Sequence, residues 1–250
     1  MNRKIKKEVL SLLAAGDLGK TRERLQGFDE QGLVNPLFSA LYRPEEMLRW
    51  HTVTIFGEVL ARLADRDMEA ARIVMRRYLW SLNDESGGIG WGAPEAMAEA
   101  MYNHDGICVE YLHMLISYMR PDGPLEHQDG NYLELPELQR GLLWGVGRLA
   151  EKRRELLLEK GVVPDLESYL DSGDPSVRGL SARALGLLQA PETESGLHTL
   201  ENDERRVRLY QDGKVHVVTV ADLAMEALVR ISFVKLSNGA VKEEATLLNP

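Results

Sequence analysis

The sequence predicts an all-α protein: a right-handed solenoid of about five stacked helix pairs, with a small β-hairpin inserted near 206–219. Three observations lead there. First, a ten-residue pattern recurs, clearest over Val177–Gly186, Val220–Val229 and Leu48–Gly57, and weaker over Ile89–Ala98 and Leu138–Gly147. Apolar or small residues hold its first, fifth, eighth and ninth places, the spacing of one buried helical face. Second, the copies begin at 48, 89, 138, 177 and 220, and so lie 41, 49, 39 and 43 residues apart. Periods of about 40–47 residues belong to stacked helix pairs. The long interval carries an insert, Pro121 to Asn131, that a loop can absorb. Third, turn and breaker residues separate the periodic runs where a two-helix repeat needs them.

Residues 1–28 read as an N-terminal cap. Ile5, Val9, Leu12 and Leu13 form one apolar face, Gly16-Asp17 breaks the run, and Leu18–Leu25 offers a second piece. The basic start followed by Val9–Ala15 is read as an amphipathic capping helix, not a leader. The first helices of the pairs are expected over Leu33–Tyr42, Met68–Leu82, Ile107–Met119, Val163–Leu170 and Glu194–Glu201. Pro44, Gly87-Gly88, Pro121 with Pro124, Gly173 with Pro175, and Asp212-Gly213 divide them from the second helices. Pro175 suits a first helical turn, and Asp174 before it suits an N-cap. Pro94 delays the second helix of the second pair to about Ala93, which leaves Trp91 on a glycine-rich loop. One domain over 1–250 is expected, with repeats at about 30–66, 67–103, 104–155, 160–190 and 191–234. A tail follows over 235–250, and Val234–Leu248 is read as a final strand or short helix.

Asp174, Val177, Arg178, Ser181 and Ala184-Leu185-Gly186 together resemble the HEAT-like repeat family, including the subgroup first named for phycobilisome lyases. The resemblance is good over 162–232, fair over 33–64, and weak over 84–102 and 133–150, where Gly90 and Gln139 replace the Arg. It implies that Asp174 and Arg178 link neighbouring units and that the small residues let helices approach.

Arg206–Tyr210 and Val215–Thr219 are short β-rich runs flanking Gln211-Asp212-Gly213-Lys214. Asp-Gly accepts the positive φ angles of a type I′ turn, so a hairpin is expected, exposed between the last pair of helices.

The chain has 250 residues, 44% of them hydrophobic, and a formal net charge of −9. An acidic balance gives nucleic-acid binding a low starting point, with Arg148 and Lys152-Arg153-Arg154 as a local exception. The single Cys108 excludes an intrachain disulfide, and no apolar run approaches the ~20 residues a membrane span needs. A cytoplasmic location is expected.

Local chemistry is sparse. The loop around Gly87–Gly92 lacks the Lys-Ser or Lys-Thr and preceding strand of a phosphate loop, and Asp84 and Glu85 repel phosphate. His104, Cys108 and His113 do not converge as zinc ligands, so no metal and no cofactor is expected. Glu95 and Glu99 share a helix face near Trp91 and read as solvated acids near a helix start. Trp50, His51, Trp91 and Trp144 form a stripe on the concave face, bordered by Glu58, Glu95, Arg140, Arg148 and Arg183.

The expected function is a non-catalytic scaffold or adaptor. It binds another protein through the groove and the loops 83–92 and 120–136. Its contact residues are Trp50, His51, Glu85, Trp91, Glu95, Arg140, Trp144 and Arg148, and no catalytic residue is assigned. Two alternatives come from resemblance: a lyase or chaperone for a small bilin or tetrapyrrole-type ligand, and a DNA-glycosylase-like enzyme with Trp91, Glu95 and Trp144 as counterparts.

Overall fold

The computed structural model describes residues 3–83, 90–121, 123 and 131–247, with side chains as far as residue 233. Two short helices open the chain, α1 (Arg3–Ala14) and α2 (Leu18–Leu25). Five helix pairs follow: α3 (Glu30–Leu41) with α4 (Glu46–Arg66), α5 (Met68–Leu82) with α6 (Ala93–Asn103), and α7 (Asp105–Ser117) with α8 (Pro136–Glu159). The fourth is α9 (Val163–Glu167) with α10 (Pro175–Leu188), and the fifth is α11 (Glu194–His198) with α12 (Val220–Leu247). Single 3-10 turns extend α9 (Ser168–Asp171) and precede α11 (Pro191–Thr193). The backbone of α12 is helical to Leu247, so the end expected as a strand or short helix continues the last long helix instead.

The helix boundaries have local causes. Asp67 both ends α4 and starts α5: its N–H donates to the Leu63 carbonyl (2.7 Å) and its carboxylate accepts from the Ala70 N–H (3.0 Å). Asp174 accepts from the N–H groups of Ser176 (2.9 Å) and Val177 (3.0 Å), with Pro175 in the first turn of α10. α6 starts at Ala93, with Gly92 at φ 78 before it, as Pro94 predicts. His104 is spent as a cap: its Nδ1 accepts from the Ile107 N–H (3.1 Å).

The second helices pack in chain order, α4 on α6, α6 on α8, α8 on α10 and α10 on α12; α4, α6, α10 and α12 also contact the first helix of their own pair, whereas α7 packs on α6. This makes a solenoid with one continuous apolar seam. Near its start, Phe38 meets Phe56 edge-on at 4.9 Å and Tyr78 at 4.9 Å. Ion pairs link the units. Arg140 of α8 grips Asp174 of α10, and Arg178 reaches Asp203 at 2.7 Å. Gln139 stands in the arginine's place in its copy, and Arg140, one residue on, supplies the link.

The hairpin, β1 (Arg206–Gln211) paired antiparallel with β2 (Lys214–Thr219), lies between α11 and α12. Gln211 pairs with Lys214, so the loop is Asp212-Gly213, at φ 51 and 78. These are the left-handed conformations a type I′ turn demands.

Candidate functional site

The hairpin is not exposed as expected. It folds back across the face lined by the second helices and docks on the first and third pairs. Val207 and Leu209 are buried, and so is Tyr210, at 5% exposure. The Tyr210 ring stacks on Trp50 of α4, with centroids 4.8 Å apart and planes 4° from parallel. Its hydroxyl lies 2.9 Å from Thr54 Oγ1, and its carbonyl accepts from Trp144 Nε1 of α8 at 2.9 Å. Trp50 and Trp144 meet at 4.8 Å. At the strand's outer edge Arg208 forms an ion pair with Glu46 of α4. At the turn, His51 Nε2 lies 3.2 Å from the Gly213 carbonyl. The physical reason is geometric: an aromatic stripe on a concave face is an apolar surface, and the nearest β-ribbon with an aromatic residue at the right register covers part of it.

Two cavities remain beside this aromatic junction, and Trp144 lines both. The first, about 240 Å³, is bounded by Trp50, Trp91, Glu95, Arg140 and Trp144. Trp91 stands at it with 42% exposure on the short turn Gly90–Gly92. Glu95, in the first turn of α6, carries an Oε2 that is buried without a hydrogen-bond partner among the described residues. Burial pushes the Glu95 carboxyl up to about 7, against the pull of its own backbone N–H and the Arg49 charge. The carboxyl rests on the backbone of Gly141, where an added Cβ would lie 2.5 Å from the Glu95 Cδ. Glycine at 141 is what lets a carboxyl reach this depth.

The second cavity, about 380 Å³, lies under the hairpin turn and is lined by Arg22, Glu99, Arg148, Glu151, Arg183 and Tyr210, among others. Most of its charges are already matched. Arg148 pairs with Glu99 (2.9 Å) and Glu151 (2.6 Å), Arg183 with Glu151 (2.7 Å), and Arg22 with Glu58 (2.7 Å). Arg148 also sits 3.5 Å over the Tyr102 ring. The expectation that Glu95 and Glu99 are solvated is therefore corrected. Glu99 is 3% exposed and salt-bridged, Glu95 is sealed on one oxygen, and the two serve different cavities.

Five of the eight sequence-derived contact residues thus meet in one cavity: Trp50, Trp91, Glu95, Arg140 and Trp144. Arg148 belongs to the other. His51, expected on the open groove, is buried under the turn. Glu85 lies outside the described residues, as do parts of the loops 83–92 and 120–136. The basic run is engaged locally: Lys152 on the Tyr102 carbonyl, Arg153 on Asp105, and Arg154 on the Leu188 carbonyl and Glu155. Sequence reasoning missed Tyr210, Arg208 and Glu46. The Arg206–Tyr210 run itself gave the signal, since Leu209 and Tyr210 are consecutive large apolar residues, one too many for a half-exposed strand. Among the described residues no helix is long and apolar enough to cross a membrane.

No protein-family model matches the chain. An uncharacterized protein of Archaeoglobus fulgidus is 25% identical over 190 residues, covering 76% of this chain and 92% of that protein. Solved structures share the fold. A designed armadillo repeat protein superposes with a TM-score of 0.52 at 15% identity, over 92% of this chain and 94% of its own. A second designed armadillo repeat protein, solved in complex with the peptide (KR)4, gives 0.54 at 16% identity over 92% of each chain. The chain is a helical-repeat protein of armadillo-type architecture, with a two-stranded hairpin added.

Proposed function

We propose that this protein is a non-catalytic scaffold that binds another protein, and that the partner anchors a side chain in the cavity between Trp50, Trp91 and Trp144. The observation that carries this reading is Trp91. Trp144 is buried and Trp50 packs against Tyr210, whereas Trp91 stands 42% exposed at the mouth of a cavity that Glu95 closes from inside. Partly exposed tryptophan beside a pocket is the usual anchor of a protein interface. Two further points support it. A similar fold holds a peptide in the second designed protein. The cavity's volume of about 240 Å³ also suits one side chain. A tetrapyrrole belongs with ligands that need roughly 300–1,000 Å³, more than the cavity of Trp50, Trp91 and Trp144 offers. The repeats are read as HEAT-like, the whole chain as one repeat domain acting in the cytoplasm, without a metal or cofactor.

The test is quantitative capture of partners from the native host by the wild-type chain, Trp91→Ala and Trp80→Ala. Trp80 is more exposed, at 78%, but lies on the first helix α5 away from the cavity. The reading expects a partner lost with Trp91→Ala and retained with Trp80→Ala, at unchanged helicity. Full retention by Trp91→Ala would discard it.

A further inference from the structure

We infer that the cavity of Trp50, Trp91 and Trp144 selects a cation: the ammonium or guanidinium end of a partner's lysine or arginine side chain, held among the indole rings against the Glu95 carboxylate. This rests on the scaffold reading and names the chemistry its anchor takes.

Six charged residues line the cavity: Glu46, Arg49, Glu95, Glu137, Arg140 and Arg208. Arg208 is neutralised by Glu46, and Arg140 by Asp174. Glu95 and Glu137 remain against Arg49, so a cation meets the balance better than an anion does. Arg49 lies close enough to both Glu46 and Glu95 to lower them, and its effect is shared. The walls add to this preference. Indole is the strongest aromatic host for a cation, because its faces carry the negative end of the ring quadrupole. Three indoles around one cavity are of little use to a carboxylate guest.

Glu95 supplies the second, independent observation. A buried carboxyl oxygen without a hydrogen-bond partner is unfavourable. Its Oε2 is turned against Gly141, where an added Cβ would lie 2.5 Å from it, while Glu95 itself lines the cavity. A guest with an N–H donor on a cationic centre matches the charge of the carboxyl group that lines the cavity. The neighbouring cavity has no such vacancy, since Arg148, Arg183 and Arg22 already take Glu99, Glu151 and Glu58.

Cation binding and proton binding then compete at Glu95. The groups that face it are Glu46 and Arg49 on α4, Glu137 and Arg140 on α8, and Arg208 on β1. No histidine is among the residues lining the cavity, so a pH effect between 6 and 8 reports Glu95. With the carboxyl at about 7, affinity for a cation is expected to rise about tenfold from pH 6 to pH 8.

The experiment is a titration of the full chain with butylguanidinium, followed by indole fluorescence at fixed ionic strength. Neutral butylurea and anionic butyrate serve as matched probes. The inference expects saturable butylguanidinium binding that tightens with pH, and weaker binding by butylurea. Glu95→Gln should lose about tenfold or more in affinity and lose the pH dependence. Trp91→Ala should lose about threefold. Equal affinity for butylurea, preference for butyrate, or an unchanged Glu95→Gln would overturn the inference. A host partner still captured through Trp91 in that case would leave the scaffold reading standing. Selective cation binding without any Trp91-dependent partner would support the chemistry and remove the scaffold.

Discussion

Trp50 and Tyr210 lie 160 residues apart in sequence and stack with their rings 4.8 Å between centroids and 4° from parallel. One belongs to the second helix of the first pair, the other to a hairpin inside the last. Their contact joins the two ends of the stack across its inner face. An open solenoid contacts only its neighbours, unit by unit. Here the hairpin adds a long-range tie, reinforced by the Arg208–Glu46 ion pair, the Thr54–Tyr210 hydroxyl contact and the Trp144 hydrogen bond.

Removing the tie should cost stability in two distinguishable steps. Tyr210→Ala takes out a buried aromatic ring and is expected to lower unfolding free energy by about 3–5 kcal/mol. Tyr210→Phe loses only the hydroxyl contact with Thr54, worth about 1 kcal/mol. Urea denaturation measures both. Equal small losses would mean that the ring adds nothing beyond its hydroxyl.

Glu95 should make stability depend on pH. The folded chain holds the Glu95 proton up to about 7, whereas the carboxyl is ordinarily near 4.5. The folded state therefore binds more protons between these values, and stability falls as pH rises from about 4.5 to about 7, then levels off. The loss is at most about 3 kcal/mol. Glu95→Gln should match the wild type at pH 4.5 and exceed it at pH 8. Parallel unfolding curves at both pH values would contradict the burial argument.

Much of the fold was legible, because helix pairing is written in local spacing. Val177–Gly186 and Val220–Val229 show the buried face directly, Pro94 marks where α6 starts, and Asp212-Gly213 marks the turn. The gathering of Trp50, Trp91, Glu95, Arg140 and Trp144 was legible for the same reason, since repeats put equivalent positions on one face. The hairpin's destination was not. No local pattern tells Tyr210 that Trp50 and Trp144 stand opposite, because that depends on the curvature summed over the intervening pairs. For the same reason His51 read as a groove residue and proved buried, and Glu99 read as solvated although Arg148 covers it.

Gly141→Ala tests how the cavity is built. The new Cβ would fall 2.5 Å from the Glu95 carboxyl and displace it towards the cavity. The expected cost is about 1–3 kcal/mol in stability, together with lost binding of a cationic probe at unchanged helicity. Unfolding curves and the fluorescence titration read the two effects separately. A variant as stable as wild type with full binding would show that Glu95 has room to spare.

Asp203 should give the fold an acid limit. Hydrogen bonds from Arg205, and then from Arg178, hold its carboxyl well below the usual range against the opposing effect of burial. Its contribution is therefore present above the ordinary Asp value of about 3.9 and is lost as pH falls through the folded value. Asp203→Asn should cost about 2 kcal/mol near pH 7, with a deficit that shrinks below about pH 4. A deficit that stays constant down to pH 2 would assign the loss to packing instead of charge.

Whether a partner anchors at the inner-face cavity is decided by a photo-crosslinking residue placed at position 91 and, in a second sample, at position 80. A partner segment carrying a lysine or arginine is expected to crosslink at 91 and not at 80. A partner that crosslinks at 80 alone, on the outer helix, would contradict it.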